Sequence, residues 1–206
     1  MPYTENGLKI VENKILLLNL RNPNRVTTVI PKSKVVGENQ VAVKWGLDEA
    51  QVLKNLNVKN VPSPILGHYN WPGLHKPFDH QKDTASFLTL HPRAFCLNEQ
   101  GTGKTGSVIW AADYLLKHKK ISRVLVICPL SIMDSAWRAD LFKFSMHRHV
   151  DIAYGPREKR AQIINLLVEG KASGLSAMQE LQNRYGRLNF GVQNCPVKGD
   201  KEARAL

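Results

Sequence analysis

Apolar and polar positions divide this chain into a first part of short runs and a second part in which helix-spaced and continuous runs alternate. Lys14 to Leu20 reads KILLLNL; Asn22-Pro23-Asn24 then makes a turn; Arg25 to Ile30 reads RVTTVI. A β-branched run after an apolar one across a turn predicts a hairpin. Val35-Val36 and Val41 to Trp45, separated by Gly37-Glu38-Asn39, predict a second hairpin. Leu47 to Leu56 carries apolar residues at helical spacing and predicts one short helix. Residues 1–60 are therefore expected to form a small β-rich domain with basic residues between the apolar ones. Two roles fit it equally: a scaffold, or an accessory module lying on nucleic acid.

Residues 61–77 hold Pro62, Pro64, Pro72 and Pro77 with Gly67 and Gly73. Proline breaks helices and cannot donate to a ladder, so this stretch is expected as a linker. Tyr69, Trp71 and Phe78 within and beside it can stack on bases or pin it to the core, and pinning is the preferred reading. Beyond it, Gln81–Leu90 predicts a helix and RAFCL (Arg93–Leu97) a short strand. Gly103–Leu116 predicts a helix with Val108, Ile109, Ala112, Leu115 and Leu116 inward. RVLVIC (Arg123–Cys128) has the continuous apolar character of a buried parallel strand. Ser131–Phe144 predicts a helix capped by Ser131, Val150–Ala153 a strand, and Pro156–Leu167 a helix with proline in its first turn. This alternation predicts an α/β domain over 78–167, built on a parallel sheet covered on both faces. Apolar runs thin out after Leu167. Ser176–Tyr185 predicts one short helix, and the rest of 168–206 reads as a solvated tail.

Charge adds a partner class. Lys and Arg total 29 against 17 Asp and Glu, a formal charge of +12. Such an excess favours polyanions, nucleic acid before acidic membrane. No apolar run reaches 18 residues and no signal-peptide order opens the chain, so neither a membrane span nor secretion is expected. Cys96, Cys128 and Cys195 are odd in number, widely spaced and without a CxxC. They are expected as reduced core residues of a cytoplasmic protein, or of host cytoplasm for a viral chain.

The chemistry concentrates at NEQGTGKT, Asn98 to Thr105. A phosphate-binding loop needs glycines that turn amides inward, a helix N-terminus behind them, a lysine for the terminal phosphates and a hydroxyl for magnesium. Gly101, Thr102, Gly103, Lys104 and Thr105 supply that set between a predicted strand and a predicted helix. The strict pattern has glycine where this chain has Asn98. ATP and Mg²⁺ are the expected cofactors, the metal reached through Thr105 and the nucleotide.

Phe78-Asp79-His80-Gln81 ahead of the loop, NEQGTGKT, and VLVICPLSIMDSAWRADLFKF after it come in an order that resembles the start of the first motor domain of superfamily 2 helicases, especially the chromatin-remodeller-like (Snf-type) DNA translocases. The resemblance spans about Lys76 to Arg160. It implies a partial RecA-like P-loop domain and an ATP-driven helicase or translocase acting on DNA, RNA not being excluded. It further implies that Gln81 contacts adenine and that Ser131 lies along the DNA backbone, where helix capping is the alternative. Lys143 and Arg148, within a basic stretch that continues to Arg160, are candidates for nucleic-acid contact or a solvated face.

A motor of that family also needs an apolar strand ending in Asp-Glu, the first supporting magnesium and the second polarising water. None of the acidic residues after the loop forms such a pair. No catalytic residue is identified. The expectation is therefore a nucleotide-binding front end of a motor, truncated or interrupted near residue 168, with little turnover of its own. Two alternatives stay open: a non-catalytic basic module with a relic loop, and a half-motor completed by a second chain.

Overall fold

The computed structural model describes residues 7–169. The predicted helix Ser176–Tyr185, the rest of the predicted tail and Cys195 lie outside that range. The described chain forms two compact units, the first from residues up to Asn70 with Lys82–Leu97, the second from Trp71–Gln81 with the residues from Asn98 on.

The first unit is organised by a four-stranded antiparallel sheet in the order β1-β2-β4-β3. Its strands are β1 (Leu8–Val11), β2 (Ile15–Asn19), β3 (Lys34–Gly37) and β4 (Gln40–Lys44). Glu12 and Asn13 take left-handed backbone angles, and Lys14 N–H closes the β1–β2 turn on Val11 O. Two successive left-handed residues match the twist of a tight hairpin. Register then sets the faces, because side chains alternate along a strand. Leu16, Leu18, Val41 and Val43 are buried on one face. Against them pack Val26 and Ile30 from α1 (Asn24–Val29) and its end, Leu53 from α2 (Leu47–Asn55), and Trp45. The Trp45 indole donates to Pro62 O at 2.9 Å. The expected linker contains the short helix α3 (Ile65–His68) and buried Ser63, whose hydroxyl is 2.6 Å from that of Thr89.

Asn24–Val29 is helix with Ile30 ending it, in place of the predicted strand Arg25–Ile30. Pro23 presets the first turn, Thr28 Oγ1 bonds Asn24 O at 2.8 Å, and Val26 and Ile30 fall one turn apart on the core. A β-branched run was outweighed there by burial at helical spacing. The missing hairpin partner of β2 is β1, from the stretch before it.

The larger correction concerns the fold class. Among the described residues the one sheet is antiparallel and lies in the first unit, so the expected RecA-like parallel sheet is not present. Arg93–Leu97 and Arg123–Cys128 join no ladder among the described residues, and Val150–Ala153 is not a strand. Phe95 and Leu97 are each 88% exposed, Leu125 82% and Ile127 90%. The reason is physical: a strand exists only where a neighbour takes its N–H and C=O groups, and these runs have no neighbour among the described residues. Cys96 and Cys128, on those runs, are free and half-buried rather than core.

The second unit is built around α5 (Lys104–Lys117), which begins directly after the glycine loop. Trp110 and Tyr114 are fully buried. Trp71 and Phe144 meet Trp110 edge-on, at centroid distances of 5.7 and 4.9 Å, and the Trp110 indole donates to Pro72 O at 2.9 Å. The helix thus buries Ile109, Trp110, Ala111, Asp113 and Tyr114, whereas Val108, Ala112, Leu115 and Leu116 of the predicted inner face are only half-buried. Phe144 comes from α6 (Ala139–Ser145). The residues before α6 make a tight 3₁₀ turn (Leu130–Ile132) and then a wide π turn (Met133–Arg138), not one continuous α-helix. α7 (Arg157–Val168) follows Pro156 as predicted. The remaining helix, α4 (Asp79–Leu90), contributes its first three residues to this unit.

Candidate phosphate-binding loop

Gly101 and Gly103 adopt φ of +83° and +73°, angles that L side chains resist. They bend the chain so that it enters α5 from residues 98–103. Asn98 has no positive φ, so its replacement of the customary glycine costs the loop nothing in backbone terms. The first intrahelical bond of α5 runs from Ser107 N–H to Gly103 O at 3.3 Å. The amides of Lys104, Thr105 and Gly106 donate to nothing among the described residues, as the first turn of a helix requires. Aligned peptide dipoles add a partial positive charge at that end.

Lys104 turns its ammonium onto the loop itself, with Nζ 2.8 Å from Asn98 O and 2.7 Å from Glu99 O. Thr102 Oγ1 donates to Glu99 O at 2.8 Å. Loop carbonyls thus hold both the lysine and the Thr102 hydroxyl, and the α5 amides take no part in these bonds. The Thr105 hydroxyl has no partner among the described residues.

Gln81 reaches this loop. Its Oε1 accepts the Phe78 N–H at 3.0 Å, and its Nε2 donates to Thr102 O at 3.3 Å. The side chain is buried, and Nε2 lies 2.1 Å from where a Cβ on Gly103 would stand. His80 joins the same acceptor, its Nε2 3.1 Å from Thr102 O, and stacks on Phe78 at 5.7 Å. Sequence reasoning named Gln81 for adenine and overlooked His80. The signal for His80 was its adjacency to Gln81 in the first turn of α4, from which both side chains reach the same carbonyl.

The nucleic-acid candidates lie elsewhere. Ser131 sits within the 3₁₀ turn and caps no helix; its carbonyl accepts Ser135 Oγ at 2.9 Å. The predicted cap fails because the chain tightens and then widens there before α6 begins. Lys143 is exposed and pairs with Asp140 at 2.9 Å. Arg148 is bound to the buried Asp113 carboxylate and also donates to Asp113 O at 3.3 Å, while His147 Nε2 is 2.8 Å from Asp113 Oδ1. A buried carboxylate needs such partners, so Arg148 fastens α5 to the turn after α6.

Two further carboxylates beyond the loop are paired: Asp134 with Arg138 at 2.8 Å, and Asp151 Oδ1 with Ile152 N–H at 2.9 Å. Among the described residues no three His, Cys, Asp or Glu side chains gather as a metal site. The loop itself carries one carboxylate, Glu99, and the hydroxyl of Thr105, free among the described residues. Among the described residues no helix is long and apolar enough to cross a membrane. No family model, curated protein or solved structure matches the chain.

Proposed function

We propose that this chain binds ATP through the Asn98–Thr105 loop and serves as the nucleotide-binding part of a DNA helicase or translocase. The carrying observation is the pair of left-handed glycines that turn the chain into α5, whose first residue is Lys104 and whose first-turn amides have no acceptor among the described residues. An anion there meets the helix N-terminus, the amides and one ammonium together. The Thr105 hydroxyl supplies one ligand to a magnesium ion held by the phosphates. No Asp-Glu pair follows the loop to support magnesium and polarise water, so the reading is of binding with little hydrolysis.

Titration with a fluorescent ATP analogue in magnesium tests this. Lys104→Ala removes a charge-assisted contact of about 1.5–3 kcal/mol and should weaken binding roughly 10- to 150-fold. Equal affinity in both proteins would end the proposal. A steady-state ATPase assay with and without DNA adds the second measurement, with turnover expected at the level of the Lys104→Ala protein.

A second reading, in which another chain completes the motor, draws on the exposed apolar run Val124–Ile127, which pairs with no strand among the described residues. Unpaired backbone beside large apolar side chains is a template for a strand from elsewhere. DNA-stimulated turnover by the purified chain alone would count against it.

A further inference from the structure

The first unit carries a surface that the nucleotide loop does not use. We propose that the outward face of its sheet binds single-stranded nucleic acid through Lys9, Lys34 and Lys44. The register places Lys9, Leu17, Ala42 and Lys34 in one row across all four strands. Lys44 lies two positions along β4 from Ala42, opposite Ile15. The opposite face is filled by the core; on this one all three lysines are exposed and Ile15 is 40% exposed.

Three features point to a nucleic-acid strand. The strand positions of the face carry no carboxylate; the nearest acidic residues in sequence, Glu12 and Glu38, sit in the hairpin turns. None of the three lysines forms an ion pair among the described residues. Strands are about 4.8 Å apart, so Lys9 and Lys34 stand roughly 14 Å apart across the row, with Lys44 offset by about 7 Å along β4. Charges so spread across a flat surface suit a string of phosphates and not one small anion.

A further feature selects the single strand. A recess of about 260 Å³ opens at one end of the face, lined by Lys9, Leu17, Asn19 and Gln40 among others. Asn19 and Gln40 are cross-strand partners, so their two amides rise side by side from this face, two positions along from Leu17 and Ala42. Amides offer both a donor and an acceptor, the complement of an unpaired base edge. In a duplex those edges are occupied by the complementary strand.

The test is fluorescence anisotropy of a labelled single strand and of its duplex, titrated with the full chain over a range of salt. The variant Lys9→Gln/Lys34→Gln/Lys44→Gln is compared with Lys59→Gln/Lys117→Gln/Lys119→Gln, which removes the same charge at other exposed positions. Each lost phosphate contact should reduce the slope of log K against log salt by about 0.7. The face variant should therefore lose about 2 in slope and about 100-fold in affinity at 0.1 M salt. The control should lose far less. Asn19→Ala/Gln40→Ala should abolish the preference for single strand over duplex. Equal losses in the two triple variants, or tighter binding of duplex by the unmodified chain, would overturn the proposal. Circular dichroism of each variant establishes that the sheet is intact.

Discussion

Gly103→Ala probes the loop and its support together. At φ of +73° an alanine costs about 1–2 kcal/mol in backbone strain. Its Cβ would stand 2.1 Å from Gln81 Nε2, so the amide has to swing away. That movement gives up the bonds to Phe78 N–H and Thr102 O, at about 1 kcal/mol net each. The expected destabilisation is about 3 kcal/mol, or a fall in Tm of roughly 6–12 °C for a chain of this size. Gly101→Ala is the internal reference. Nothing lies within 4 Å of its Cβ, so only the strain remains. Urea denaturation of Gly103→Ala, Gln81→Ala and the double variant reads the coupling. With Gln81 already shortened, Gly103→Ala should cost only the strain, giving an interaction energy of about 2 kcal/mol. Additivity within about 0.5 kcal/mol would refute the contact between Gln81 and the loop.

Asp113→Asn should destabilise the second unit by about 2–3 kcal/mol, because it leaves the Arg148 guanidinium without its counter-charge, whereas His147→Ala should cost under about 1 kcal/mol because that ring is half exposed; urea unfolding separates the two. Burial pushes the Tyr114 phenol up from 10.0 to about 12. The folded state therefore holds that proton more tightly than the unfolded chain. Its stabilising contribution is complete below pH 10 and is lost as pH rises toward 12. Tyr114→Phe should flatten this part of the stability profile, measured by denaturation at successive alkaline pH values.

Much of the loop was legible because its chemistry is local. Two glycines, a lysine and an amphipathic stretch after them specify a turn into a helix without reference to the rest of the molecule. The same holds for α2, α4, α7 and the β3–β4 hairpin, each carried by its own periodicity or turn. The expected parallel strands were not legible in this sense. RVLVIC has the composition of a buried strand, but pairing depends on what lies beside it, and composition does not report that. Arg25–Ile30 shows the opposite case: β-branched residues entered a helix because Val26 and Ile30 could both reach one core. Arg148 looked like part of a basic surface; its partner, Asp113, is distant in sequence and buried. Gln81 was singled out for a base contact through resemblance alone. Its place beneath Thr102 depends on how α4 and the loop meet, which no spacing rule contains.

The bare run at Val124–Ile127 also gives the protein a reporter of its own state. An amide without an acceptor exchanges its hydrogen with solvent almost as fast as in an unfolded chain, whereas the interior amides of α5 exchange only through opening events. In a deuterium-labelling experiment these four residues should therefore fill well before the interior of α5. Any molecule that lays a strand along them would slow that filling, by tenfold for each 1.4 kcal/mol of pairing. The segment would register the arrival of a partner before anything is known of what the partner is.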